Sequence, residues 1–463
     1  MMGLLGVLLA LGLLIWLAYK GMSILVLAPA MALFATLFAV GTPLLATYTQ
    51  VFMSSLGQFM VQYFPLFLLG ALFGKLMEDS GAAESIAQGM VQRLGSKHSL
   101  LAVVLACAVL TYGGVSLFVV AFAIYPIAAA LFRQADIPKR LIPATIALGA
   151  FTFTMTALPG TPAIQNAIPM PFFGTTPFAA PGLGIITALV MFGLGQWWLN
   201  RQAALARAQG EGYGQHSEPQ SVEQRDAALL PAFYLALLPI MVVIALNYLV
   251  STYWIPAMDT GYLSEARYGA TQVEAVRGVW SIIVSLTLAS LLILVLFWSR
   301  FQTVMKSIAQ GANDSVLPIF NTASLVGFGA VIAALPAFEL IKTFVDNIGS
   351  GNPLISLAIV TNILAGITGS ASGGMSIALQ TLGTDYLQLA QTLGISPELL
   401  HRVTTVATGG LDSLPHNGAV VTLLAICGLT HQQAYKDIFM VAVLFPIIAL
   451  ILLIILGTLF GSF

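Results

Sequence analysis

The sequence predicts an all-α polytopic membrane protein built as two inverted repeats, each of about five transmembrane helices plus a re-entrant helical hairpin and one broken helix. Three observations predict it. Of the 463 residues, 58% are hydrophobic and only 8% are charged, against about 25% charged in a soluble domain. The apolar residues come in blocks long enough to span a bilayer, about 20 residues each. Those blocks are interrupted at places that recur in the two halves of the chain: Pro159 and Pro415 lie 256 positions apart, and so do Gly113 and Gly369.

Apolar spans run over 3–19, 22–40, 64–77, 182–200, 229–250, 277–298, 315–334 and 438–460. The stretches 44–62, 80–95, 301–314 and 336–349 mix apolar and polar residues at helical spacing, which suits helices lying at the membrane surface. Residues 98–133 are apolar but broken by Thr111-Tyr112-Gly113-Gly114, and 354–392 by Thr368-Gly369-Ser370-Ala371-Ser372-Gly373-Gly374; each reads as a hairpin with its tip inside the membrane. Residues 141–177 are broken around Pro159-Gly160-Thr161-Pro162, and 397–430 around Leu414-Pro415-His416-Asn417. Leu69-Gly70-Ala71-Leu72-Phe73-Gly74 likewise aligns with Leu325-Val326-Gly327-Phe328-Gly329-Ala330. The chain therefore divides into a first repeat, 1–200, a solvated linker, 201–227, and a second repeat, 228–463. Paired interruptions of this kind point to a transporter binding site between the repeats.

Charge sets the expected topology. The N-terminal run is uncharged up to Lys20, which suits a retained first helix with its C-terminal end in the cytoplasm and not a cleaved leader. Arg93, Lys97, Arg133, Lys139 and Arg140 flank the first hairpin, whereas the second has no immediate Lys or Arg; the first then enters from the cytoplasm and the second from outside. Arg201 to Arg225, Arg300 and Lys306 fall on the cytoplasmic side, and Lys342, His401 and Arg402 on the outer side. The net charge of −1 gives no footprint for nucleic acid.

Backbone that leaves the helix within a bilayer frees N–H and C=O groups, and it is tolerated only where protein covers it or where it lines a wet cavity. The breaks also present helix N-termini, whose free N–H groups attract anions. The expected substrate lining is Tyr112, Gly113, Gly114 and Ser116 at the first tip, and Gly160, Thr161 and Gln165, with Asn166 nearby, at the first break. Gly369, Ser370, Ser372 and Ser376 line the second tip, and His416 and Asn417 the second break. With no Lys or Arg inside a break, this lining suits a small organic anion held by dipoles, hydroxyls and amides. Asp412 and His416 are the carboxylate and imidazole within the breaks and are the expected proton-coupling pair; the structural alternative is that Asp412 caps a half-helix and His416 bonds freed backbone. Lys75, Glu78, Asp79, Asp314 and Asp385 lie near span ends and read as structural. Cys107 and Cys427 sit in apolar runs and read as packing residues, not as a disulfide or metal pair.

Enzyme motifs are missing from the sequence. Gly369 to Gly373 has alanine at its centre and is not a nucleophile elbow, and there is no H-E-x-x-H, Walker A or metal-spaced Cys/His cluster. The reading is a non-enzyme without cofactor or metal, whose transport is driven by an ion gradient or an exchanged solute.

Gly70-Ala71-Leu72-Phe73-Gly74-Lys75-Leu76-Met77-Glu78-Asp79-Ser80-Gly81-Ala82-Ala83, followed by Leu94-Gly95-Ser96-Lys97-His98, resembles the signature run of gluconate permeases. Ile395 to Leu400 and Gly409 to Ala419 resemble the branch of that family described as D-β-hydroxybutyrate permeases. The resemblance implies proton-coupled uptake of a small hydroxy-carboxylate, a homodimer embedded in membrane lipid at the bacterial inner membrane, and an elevator motion of the hairpin-bearing part. A sodium-coupled or exchanging carrier of di- or tricarboxylates is the alternative within transport, and a membrane assembly or sensor protein the alternative outside it. Gluconate permeases carry a glutamate at the first hairpin tip; here Tyr112-Gly113-Gly114 stands without an acid, which moves the expectation to a shorter, less hydroxylated acid.

Overall fold

The structure, a computed structural model, describes residues 2–20, 22–39, 41–95, 98–215, 230–340 and 352–463. Every regular element among them is helical. Two helices, α1 (Met2–Tyr19) and α2 (Ile24–Thr36), lead into the long α3 (Leu44–Asp79) and the short amphipathic α4 (Ala82–Leu94). The first hairpin is α5 (Ser99–Tyr112) and α6 (Leu117–Gln134). Next comes α7 (Leu141–Ala150), which breaks into the short turns Phe153–Thr156, Ile164–Ala167 and Pro169–Phe173 before α8 (Pro181–Ala208). The series then recurs. The elements are α9 (Phe233–Ala257), α10 (Val273–Arg300), the long α11 (Val304–Ala334), a hairpin of α12 (Pro353–Thr368) and α13 (Ala371–Thr392), a helix broken between α14 (Pro397–Thr408) and α15 (Gly418–Cys427), and α16 (His431–Phe460).

Seven of these helices are long and apolar enough to cross a membrane. Their outward faces are apolar too. On α16, Ile448, Ile451, Ile455 and Leu459 are 41–69% exposed at three- and four-residue spacing, one continuous stripe. A water-soluble surface does not carry such a stripe, whereas hydrocarbon chains cover it.

The helices at 44–62 and 301–314 correct the expectation of separate surface segments. Residues 44–79 form one helix and 304–334 another. Their polar side chains do not end the helix because they bond back into it: Thr47 Oγ1 donates to Pro43 O at 2.9 Å, Thr49 Oγ1 to Leu45 O at 2.7 Å and Ser315 Oγ to Ala312 O at 2.6 Å. The stretch 80–95 forms a separate amphipathic helix as read, and 336–349 lies outside the described residues from 341 onward. Nor does the linker begin at 201, since α8 continues to Ala208. Beyond it, Glu211 and Tyr213 dock on the turn before α7, and His216, Glu218, Glu223 and Arg225 lie outside the described residues.

The two long helices α3 and α11 pack along one another, α2 packs on α11 and α10 on α3. Each hairpin packs on the broken helix that follows it, α5 and α6 on α7, α12 and α13 on α14. The broken helices also cross over: α15 packs on α6 of the first hairpin, while Ile164–Ala167 and Pro169–Phe173 pack on α13 of the second. Helix α4 bridges the first hairpin to α9, with Ser85 Oγ donating to Pro231 O at 2.7 Å and the Arg93 guanidinium 3.7 Å from the Phe233 ring centre.

Lys75 pairs with Glu78 at 3.5 Å and Asp79 at 3.0 Å, and Cys107 and Cys427 are buried free thiols. At one end of the bundle Arg140 donates to Glu211 at 2.8 Å and to Asp437 at 2.9 Å, and Trp198 Nε1–H donates to Asp437 at 3.0 Å. The hydrogen bond from Arg140 holds the Glu211 carboxyl below its ordinary range.

Candidate functional site

The first tip is a tight turn between α5 and α6. Gly114 has φ +95°, and a Cβ there would stand 2.8 Å from Pro162 Cγ, so the turn and its seat both require glycine. The Tyr112 hydroxyl donates to Pro159 O at 2.6 Å, which ties the tip to the first break. Ser116 opens α6 with its backbone nitrogen against Gly74 of α3, and Gly113 lies under Ile240 of α9.

The break itself forms because Pro159 and Pro162 supply no N–H and Gly160, at φ +83°, turns the chain out of the helix. Gly160 N–H donates to Pro177 O at 2.8 Å, and its carbonyl accepts from Asn247 Nδ2 of α9 at 3.1 Å. Asn247 is in turn fixed by Ser281 Oγ of α10 at 2.7 Å. Thr161 is fully buried, and Gln165 Oε1 and Thr111 Oγ1 are buried without a hydrogen-bond partner.

The second tip turns at Gly369, φ +59°. Ser370 Oγ caps α13 by accepting from Gly373 N–H at 3.1 Å, and Ser372 Oγ lies 3.3 Å from Thr322 Oγ1 of α11. Ser376 donates to the Ser372 carbonyl at 2.7 Å, so its proton is spent within the helix. In the second break, Asn417 caps α15 through Oδ1, at 3.3 Å from Val420 N–H, and donates from Nδ2 to Asp412 O at 2.6 Å. His416 Nε2 lies 3.0 Å from Gly366 O, a carbonyl freed where α12 ends, and its ring covers Gly369. Asn362 Oδ1 accepts from Leu411 N–H at 2.9 Å. Each tip is therefore seated on the break of its own half.

Asp412 and His416 belong to the same break but share no hydrogen bond among the described residues: the Asp412 carboxylate accepts from Ser413 Oγ at 3.1 Å. Pro415 turns the backbone between them and removes the helical spacing that would pair them. Asn417, not Asp412, caps the half-helix.

His401 and Arg402 correct the sequence reading. Expected among the exceptions on the outer side, they are fully buried in α14. Arg402 reaches across to the first break, donating to Ala179 O at 2.7 and 3.1 Å, to Thr156 O at 3.3 Å and to Asn166 Oδ1 at 3.3 Å. His401 Nε2 lies 3.1 Å from the same Asn166 oxygen, and Nδ1 lies 2.6 Å from Thr175 Oγ1. Asn166 Nδ2 donates to Thr161 O at 3.0 Å and Pro177 O at 2.9 Å. With its nitrogen facing two carbonyls, the amide orientation is fixed and its oxygen faces two donors. That places the proton of a neutral His401 on Nε2, with Thr175 donating to Nδ1. One amide thus stitches the broken segments of the two halves together. Sequence reading missed this hub, although a His-Arg pair inside the apolar run Leu399 to Val403 was its visible signal.

Two clefts stand out, of about 190 Å³ between α4 and the start of α9 and of about 230 Å³ between α5 and α8, and neither includes a residue of the four breaks. The breaks remain the candidate because each gathers freed backbone groups, buried amides and hydroxyls inside an apolar bundle.

A profile of GntP family permeases matches residues 2–459. The chain is 44% identical over 461 residues to an uncharacterized transporter, YxjC, of Bacillus subtilis, covering 96% of this chain and 98% of that one. It is 34% identical over 127 residues to a high-affinity gluconate transporter of Escherichia coli, 27% of each chain. Among solved structures, the YdaH transporter of Alcanivorax borkumensis, described as having an unusual topology, superposes with a TM-score of 0.59 at 15% identity, over 89% of each chain. MtrF of Neisseria gonorrhoeae, described within a class of antimetabolite efflux pumps, does so with a TM-score of 0.56 at 14% identity, over 90% of this chain and 84% of that one. These two show the fold. The multi-pass helical bundle, its paired breaks and the match along almost its whole length agree: the chain belongs to the GntP family of permeases.

Proposed function

We propose that this permease takes up a small hydroxy-carboxylate, such as D-3-hydroxybutyrate or gluconate, by proton symport across the bacterial inner membrane. The observation that carries the reading is the pairing of the two tips with the two breaks, all four built from hydroxyls, amides and freed backbone, within a GntP-family chain. Such a lining holds a carboxylate by helix N-termini and hydroxyl donors. The relative from Escherichia coli, described as a high-affinity gluconate transporter, supports the substrate class.

The two repeats are then inverted copies joined by the segment that follows α8 after Ala208, and the site lies where their breaks meet, lined by Tyr112, Gly113, Gly114, Ser116, Gly160, Thr161 and Gln165 of the first copy. Gly369, Ser370, Ser372, Ser376, His416 and Asn417 of the second complete it. The hairpins and broken helices move together as an elevator against a scaffold of α1–α3 and α9–α11, and the scaffold carries a homodimer contact. Asp412 and His416 titrate during the cycle, each by itself, since no bond links them. A co-transported proton cancels the anion's charge, which otherwise costs about 2.3 kcal/mol per 100 mV of membrane potential.

The test is uptake into proteoliposomes of purified protein, preceded by a thermal-shift screen against short carboxylates of graded chain length and hydroxylation, with and without sodium. Accumulation driven by an imposed pH gradient without sodium supports the reading. An obligatory sodium requirement at fixed pH, or stabilisation by di- and tricarboxylates alone, overturns it.

A further inference from the structure

Arg402 has no carboxylate within 4 Å among the described residues; its donors go to two backbone carbonyls and one amide oxygen. A guanidinium does not lose its proton in a protein, so these neutral acceptors solvate a full positive charge in the interior of the bundle without cancelling it. Glu398, one turn earlier in α14, is exposed and accepts from Ser462 Oγ at 3.2 Å and Ala180 N–H at 3.5 Å. Glu398 does act on Arg402 as an opposite charge, but from the exposed surface, where water screens it, and it makes no contact with the guanidinium. The charge stands against the break segments: Thr156 is touched by Gly409 at the start of the second break, and the field of Arg402 acts on Tyr112 at the first tip. Asn166 orients its oxygen towards the guanidinium and carries no charge of its own.

From this geometry we infer that Arg402 is the fixed positive charge by which the site distinguishes a carboxylate from a neutral solute of the same shape. Arg402 is a specificity-determining residue that works through space, not by contact, since it is fully buried behind the breaks. The carboxylate it favours is the missing counter-charge of the interior. This rests on the functional reading above, and it assigns the anion preference to one residue outside the tips and breaks. Two unit charges roughly 8–10 Å apart at an effective dielectric near 20 give a preference of about fifteen- to thirty-fold.

The experiment measures binding of D-3-hydroxybutyrate, gluconate and their carboxamides to purified wild type, Arg402→Gln and Arg402→Lys. Wild type is expected to favour each carboxylate over its carboxamide. In Arg402→Gln that preference falls about fifteen- to thirty-fold while carboxamide binding stays within about two-fold. Arg402→Lys, which keeps the charge and loses the planar fork, retains most of the preference. Equal losses for carboxylate and carboxamide in both variants, or an intact preference in Arg402→Gln, overturn the inference while leaving the substrate assignment standing. Wild type that binds none of the probes overturns both. Should neither variant fold, wild type alone decides: equal binding of each carboxylate and its carboxamide, or a preference that collapses between about 20 and 500 mM salt, overturns the inference.

Discussion

Replacing Asn166 with leucine, of similar bulk, removes four hydrogen bonds at once and should strand two groups. Pro177 O keeps the Gly160 N–H, and Arg402 keeps Ala179 and Thr156. Thr161 O and His401 Nε2 lose the partners that Asn166 provides and are left buried. A buried polar group left unsatisfied costs about 1–3 kcal/mol, so Asn166→Leu should destabilise the protein by about 2–6 kcal/mol. Membrane interiors often return less than this, because groups find other partners, which puts the expectation at the lower end of that range. The assay is unfolding of the purified protein in mixed micelles, followed by tryptophan fluorescence, with the wild type and Asn200→Leu, an exposed amide on α8, as references. Asn166→Leu within about 0.5 kcal/mol of wild type would refute the hub as a structural tie.

Three further outcomes are expected. Gly374→Ala places a Cβ 2.2 Å from Ala365 N and should cost at least about 1–3 kcal/mol and abolish transport, whereas Gly70→Ala, with nothing within 4 Å, should be neutral or stabilising by up to about 1 kcal/mol in a melting series. Asp412→Asn and His416→Gln should each abolish accumulation driven by a pH gradient while leaving exchange at equal pH; full accumulation in both variants contradicts the proton assignment. Because Arg140 lowers the Glu211 carboxyl, the pair stabilises the fold fully above about pH 4.3, the unfolded value, and loses this as pH falls through the folded value. Glu211→Gln should therefore melt earlier than wild type at pH 7, with the difference shrinking as pH falls below about 4.3, and a difference that stays constant sinks the linkage.

Much of the architecture was legible in the sequence because the features that break a membrane helix are written in residue types. Gly114, Gly160 and Gly369 sit at positive φ, and Pro159, Pro162 and Pro415 lack the donor that would continue the helix. The long helices were misread for the opposite reason. Threonine and serine in α3 and α11 look polar in one dimension, yet they return their protons to the preceding turn and leave the helix intact. The hub was not legible as a hub, since Asn166 and Arg402 lie 236 positions apart and no pattern in either stretch names the other. A rule that assigns cations to membrane faces says nothing of burial; the fold buries Arg402, whose donors meet the carbonyls released at Thr156 and Ala179.

The exchange of broken helices between the two halves also sets a clock for biogenesis. Tyr125 of the first hairpin donates its hydroxyl to the carbonyl of Cys427, 302 residues later in the chain. At about 5–20 residues per second, the ribosome takes roughly 15–60 s to make the one after the other. For that interval α15, which will cover one face of α6, is not yet made, and the Cys427 carbonyl is not yet there for Tyr125. The first hairpin is therefore incompletely packed for that time, and truncations that stop short of Gly418 leave that face of α6 uncovered.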